Sequence, residues 1–210
     1  MSSARNHFIV AGLLLVAGLA CVPPRPKFAR ELSATGAGQA LSRVTNDPAH
    51  EVYPSLAPDG KVLLFDVRTF ERSYSTSRPK EMVIVGVDPA TGARRTVYTP
   101  GTSWSGNAAW LPDASTFVYA SNAMGNWSLV RALSNSPNAA VRVIYAGDTG
   151  AEVSNPSVAP NGKRVVFGTT VRGKPTIAVI GLDGANLTLL GEGLDPEWHT
   201  SKDLLVFHRY

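Results

Sequence analysis

A catalytic protein needs a nucleophile with a base, a pair of acid–base groups, or a cluster of metal ligands. In these 210 residues the stretch nearest to a nucleophile motif is GTSWSG, Gly101 to Gly106. It departs from G-x-S-x-G because its second glycine lies one position too far along. It also falls between repeats, without the strand–turn–helix setting of a nucleophile elbow. The four histidines (His7, His50, His199, His208) have neither H-x-x-x-H nor Cys/His ligand spacing. His199 follows Trp198 and reads as a rim or packing residue. Asp59 and Asn161 recur at matching positions, where their side chains shape tight turns. The sequence therefore predicts no catalytic residue, no metal and no cofactor. Two sets of residues remain that can bind without reacting. One is Tyr53, Asn107, Asn155 and Asp195; the other is Arg68, Phe70, Arg72, Tyr74 and Arg78.

A repeat places the first set. PSLAPDGKVLLF begins at Pro54 and PSVAPNGKRVVF at Pro156, with weaker copies AAWLPDASTFVY from Ala108 and PEWHTSKDLLVF from Pro196. Each is a short strand, a tight turn and an apolar strand. Proline is preset for the second turn position, Asp or Asn suits the third, and glycine accepts the left-handed geometry that follows. The turn positions Pro58, Pro112, Pro160 and Thr200 are 54, 48 and 40 residues apart, the range of a four-stranded propeller blade. A second hairpin follows each of the first three copies, as in EMVIVGVDPATGARRTVYT. The chain is thus expected to be all-β: a small propeller of about four blades of four antiparallel strands, at 49–99, 104–147, 152–192 and 195–210 plus 28–45. The last blade is composite. Its C-terminal hairpin lacks two strands, and residues 27–45 share Ala-Thr-Gly-Ala (Ala34–Ala37, Ala90–Ala93) with the first blade's outer hairpin. Pairing the two termini would close the ring and cover unpaired edges.

PSLAPDGKVLLF and PSVAPNGKRVVF resemble the P-x-[W/aliphatic]-[S/A]-P-[D/N]-G-K repeat of TolB-like β-propellers, with Trp110 and Trp198 where that family often has tryptophan. The likeness covers the chain after Lys27. Ala114 replaces the turn glycine in the second copy, and Thr200 and Lys202 replace Pro and Gly in the fourth, so those turns are expected to adopt another geometry. The family's six-bladed ring and separate N-terminal domain exceed this chain, which reads as a four-bladed relative; a truncated chain or half of a dimerising ring are the alternatives. In a propeller the first strand of each blade lines the channel, so Tyr53, Asn107, Asn155 and Asp195, one before each repeat, should converge on one mouth. They could hold an ion, a water cluster or a partner's tip, or merely cap strand ends. The insertion from Arg68 to Lys80 should be an exposed basic loop, a contact surface for an acidic partner.

The N-terminus has the layout of an export signal: MSSARNHF with Arg5, the apolar run IVAGLLLVAG, then small residues to Cys21. Cys21 is the only cysteine, so no intramolecular disulfide can form. Gly18-Leu19-Ala20-Cys21 resembles the lipobox of bacterial lipoproteins, with Gly18 in place of the usual branched residue. That resemblance implies a signal over 1–20, lipidation at Cys21, a stiff tether over 21–27 and the propeller domain over 28–210. Val22 instead of Asp implies outer-membrane sorting, facing the periplasm.

Composition agrees with an ordered β chain, with 44% hydrophobic and 17% charged residues and abundant Gly and Pro. The net charge of +4 is spread out, and basic–aromatic faces for single-stranded nucleic acid are lacking. The TolB resemblance implies a non-enzymatic protein-binding or scaffold module of the cell envelope. Its partners would be envelope proteins or lipoproteins, with membrane attachment through the lipid, no nucleic acid, and oligomers possible. The alternatives are a propeller that binds sugar, peptide or ion at the channel mouth, or the accessory propeller of an enzyme on another chain.

Overall fold

A computed structural model describes residues 31–33, 40–45, 50–70, 81–98, 103–135 and 141–209. The signal segment, the tether and Cys21 lie outside them, as do Arg72, Tyr74 and Arg78. The chain divides into two units, 1–48 and 49–210. In the first, β1 (Glu31–Ser33) pairs antiparallel with β2 (Ala40–Ser42).

The second unit is a series of antiparallel sheets, with no helix among its described residues. The first blade holds β3 (His50–Leu56), β4 (Leu63–Thr69), β5 (Glu81–Val87) and β6 (Arg94–Tyr98). The second holds β7 (Ser105–Trp110), β8 (Thr116–Ser121), β9 (Ser128–Leu133) and β10 (Arg142–Ala146). The third holds β11 (Val153–Val158), β12 (Arg164–Val171), β13 (Lys174–Gly181) and β14 (Thr188–Glu192). Within each blade the strands lie in chain order. The first strands pack in series, β3 on β7, β7 on β11 and β11 on β15 (Leu194–Trp198), and so form the inner side of the arc.

The last blade differs from expectation. β15 pairs with β16 (Leu205–His208) as a two-stranded sheet, and β1–β2 form a separate one, so the composite four-stranded blade is not the observed pairing. The last hairpin also stands apart within the repeat. Val206 is 68% exposed, whereas its counterparts Leu64, Val118 and Val166 are fully buried.

Alternation of side chains puts each middle strand into two cores. Phe117 and Tyr119 face the first blade, packing with Leu64, Ile84 and Ala57. Val118 and Leu129 face the third, packing with Val165, Phe167 and Ile180. Val166, Ile177 and Val179 then pack with Trp198 of the last hairpin. At about 1.5–3 kcal/mol for each fully buried large side chain, these inter-blade cores hold the arc together. Trp110 adds a polar tie, donating from Nε1 to the Ser55 carbonyl of the preceding blade at 3.1 Å.

The four repeat turns close in one way, with a backbone bond from Ala57, Leu111, Ala159 and His199 to Val62, Thr116, Arg164 and Leu204. Asp59, Asp113 and Asn161 each accept the N–H two residues on, and in the fourth copy His199 Nδ1 takes that of Ser201 at 3.1 Å. His199 therefore shapes a turn. Gly60 and Gly162 are left-handed (φ 74° and 67°), and Ala114 adopts the same geometry at φ 54°. The expected change of turn is thus absent in the second copy; in the fourth, Lys202 avoids positive φ. An L-residue there costs on the order of 1 kcal/mol. Ala114→Gly should raise the stability of the chain by about that amount, measured by urea denaturation; an unchanged or lower midpoint would show the turn to be unstrained.

Candidate functional site

Tyr53, Asn107, Asn155 and Asp195 occupy one structural position, and it is a special one. Each is left-handed, with φ of 54°, 56°, 47° and 49°. Each opens a β-bulge, where the ladder shifts between Val52 and Ser55, Gly106 and Ala109, Ser154 and Ser157, and Leu194 and Glu197. Two residues of the inner strand thus oppose one of its neighbour, and the strand bends and twists more sharply. The second bulge residue is Pro54, Ala108, Pro156 or Pro196; proline is tolerated there because the ladder already lacks a bond. Asn and Asp enter left-handed geometry more readily than other L-residues, so backbone shape accounts for three of the four residues. Tyr53 is the outlier. Its exposed ring lies 5.1 Å beneath the Arg68 guanidinium, a contact worth about 0.5–1 kcal/mol at such a site.

Beyond that shared geometry, polar groups run from blade to blade. The Asn107 N–H donates to both carboxylate oxygens of Asp66, each at 3.0 Å. The Asn155 N–H donates to Asn107 Oδ1 at a long 3.5 Å. Asn155 Nδ2 in turn donates to Asp195 Oδ1, and Asp195 Oδ2 lies 3.5 Å from His208 Nδ1. Three of the expected mouth residues are therefore joined in one series, while Tyr53 engages Arg68. Asn107 and Asn155 are half-buried and Asp195 is exposed, so the series runs from the interior at Asp66 to solvent at Asp195 and His208.

Asp66 belongs to neither of the two sets that the sequence offers. A signal existed: it is an acid within the apolar strand LLFDVRT, where the other copies have Ala120, Gly168 and His208. It has no exposed surface, and its close approach to the next blade depends on Gly106, where a Cβ would collide with its carboxylate. Burial pushes its pKa up to about 7, against the Asn107 N–H bonds and the Arg68 charge, which favour ionisation.

The second expected set is only partly where the sequence placed it. Arg68 belongs to β4, half-buried, and Thr69 still pairs with Glu81. Phe70 is also half-buried, edge-on to His50 at 5.9 Å. Strand β4 continues to Thr69, further than the polar composition of RTFERSYSTSRPK implies, so Arg68 lies in a strand, and Phe70 follows its last residue. Ser105 of GTSWSG is a buried member of β7, not part of a connection between blades, and its Oγ bonds to Ser121 Oγ at 2.8 Å. Among the described residues no group of three or more His, Cys, Asp and Glu side chains could hold a metal ion.

Four-stranded antiparallel blades, packed face to face with first strands inward, define a β-propeller arrangement. It is a TolB-like one: the chain superposes on TolB from Acinetobacter baumannii with a TM-score of 0.63 at 19% identity, over 85% of this chain and 42% of that one. For a putative TolB from Agrobacterium tumefaciens the TM-score is 0.60 at 18% identity, over 86% and 66%. Oligogalacturonate lyase from Vibrio parahaemolyticus gives 0.57 at 14% identity, over 84% and 51%. The chain thus spans between about two fifths and two thirds of these proteins. No family model and no curated protein matches it.

Asp66 makes stability depend on pH in a defined direction. Unfolded, its carboxyl ionises near 3.8; folded, near 7. Between those values the unfolded chain has lost a proton that the folded chain keeps, so this contribution falls as pH rises through the window and is level above it. Asp66→Asn keeps an acceptor for the Asn107 N–H and removes the titration. It should be more stable than the wild type at pH 8, by an amount on the order of a few kcal/mol, and equal to it near pH 3.5. Urea denaturation at both values checks this; a variant less stable at pH 8 would mean that the ionised carboxylate is needed.

Proposed function

We propose that this chain is a non-enzymatic binding module of the bacterial cell envelope, in which one end of the propeller arc holds a partner protein. In this reading the export signal is removed, Cys21 carries a lipid, and residues 21–27 tether the domain to the outer membrane on its periplasmic side. The observation that supports it is the recurrence of one left-handed bulge in every inner strand. The bulges deliver Tyr53, Asn107, Asn155 and Asp195 to the same end of the arc, part buried and part open to solvent. A joined polar series ending in exposed groups can accept the tip of a partner by hydrogen bonds, with the exposed Tyr53 ring as an aromatic anchor. The TolB-like fold agrees by analogy alone. A small polar ligand at the same mouth is the second reading, favoured by the coupled Asn155–Asp195 pair.

Glycine substitutions separate the two jobs of these positions, since they keep the left-handed backbone and delete the side chain. Asn155→Gly/Asp195→Gly should retain the thermal midpoint of the wild type yet lose the proteins it captures from detergent-solubilised envelopes. Identical captured proteins from both chains would remove the mouth from the binding surface. Titration of both with oligosaccharides and divalent ions tests the second reading. Mass spectrometry of the mature N-terminus tests the anchor, an unmodified Cys21 being contrary to it.

We also propose that the last blade is completed in the working protein by the N-terminal strands, as its bare Val206 invites. Amide exchange then has a clear expectation. The β16 amides that do not pair with β15 should be protected in the full chain and exchange freely in a chain starting at Ala49. Equal, fast exchange in both would refute the closure.

A further inference from the structure

The far side of the arc, where the repeat turns lie, carries a groove of about 720 Å³ between the second and third blades. Its walls hold Arg131, Arg142, Lys163 and Arg164 against Asp113 and Asp183. Arg131 and Arg142 are directly opposed across β9 and β10, so their side chains leave the same face of the sheet, roughly 5 Å apart at Cβ. Two like charges so placed repel, and a fold does not gain stability from them. Val118, the neighbour of Arg131 across β8, is buried in the core shared with the third blade, so this face turns towards that blade and the groove.

Among the described residues no ion pair joins the groove's two acids to either arginine. Asp113 is committed to its turn, accepting from the Ser115 N–H and from both the N–H and hydroxyl of Thr116. Asp183 accepts from the Ala185 N–H, and Arg142 reaches only its backbone carbonyl, at 2.8 Å. Arg164 is paired with Asp203 and stacked over Trp198. Lys163 lost its partner through the repeat itself: in the first copy Lys61 sits 3.2 Å from Asp59, but in the third the equivalent residue is the uncharged Asn161.

We propose that this inter-blade groove is a docking site for an acidic peptide segment of the partner protein, whose carboxylates pair with Arg131, Arg142 and Lys163. A guanidinium pair presents planar forks suited to two carboxylates. The volume matches sites that enclose a ligand of several residues' bulk, well beyond one inorganic ion. The inference rests on the protein-binding reading above and names the chemistry of one contact in it.

Calorimetric titration with hexaglutamate at low salt tests it on the full chain. The wild type should bind, more weakly as salt rises. Arg131→Gln/Lys163→Gln should lose at least about tenfold in affinity, while Lys61→Gln on the first blade should bind as the wild type. With the repulsion relieved, Arg131→Gln should melt no lower than the wild type in the absence of peptide. If that variant folds poorly, Lys163→Gln, on an exposed turn, must still show part of the loss. Equal affinity in the double variant, no binding by the wild type, or binding of pyrophosphate without hexaglutamate would each overturn the proposal. A chain that captures an envelope protein yet ignores hexaglutamate overturns the groove alone, and leaves the mouth standing.

Discussion

A single left-handed residue in each innermost strand sets much of the geometry of this molecule. The bulge that it opens makes two residues of the strand face one of its neighbour, and the strand turns towards the axis of the arc. Because the ladder is interrupted there, the backbone N–H at the bulge is released to other acceptors. Asn107 gives its own to Asp66 in the preceding blade, and Asn155 gives its own to Asn107. One local deviation thus bends each strand and also links it to the next blade.

The apolar links between the blades weaken towards the last hairpin. Leu64, Val118 and Val166 are sealed, whereas Val206 in the same repeat position faces solvent. Phe207 is only half-buried, although Phe65, Tyr119 and Phe167 are buried. Burial in this architecture depends on the blade beyond and on the strand alongside, so one strand sequence acquires different energetics at different points of the series. The two surfaces with binding potential lie at opposite ends of the strands. The mouth holds neutral amides and an acid, while the groove on the turn side has four cations against two acids. Their opposite character would let one module engage two chemically distinct parts of a partner.

Much of the fold was legible in the residues. Pro-Asp-Gly-Lys and Pro-Asn-Gly-Lys mark tight turns and short apolar runs flank them, so twelve strands in three blades follow from local chemistry. Arg68 falls in a strand and not in a loop because backbone pairing continues to Thr69 and Glu81 despite the polar composition there. The role of Asp66 is not legible in the sequence, because an acid in an apolar strand has no meaning until the neighbouring blade brings it an N–H. Tyr53, Asn107, Asn155 and Asp195 share a position that the repeat makes legible, but Tyr53 among them gives no sign of a left-handed backbone.

The sequence by itself determined the repeat, its turns and the all-β character, since these depend on residues within a dozen positions of one another. It also determined where a polar residue would recur at the entry of each inner strand. Only the tertiary structure decided which strands complete which sheet, that Asp66 would be buried against Asn107, and that Arg131 and Arg142 would stand opposite each other. Those outcomes are set by contacts between segments far apart in the chain, where burial and charge are shared properties of two blades and are encoded in neither alone.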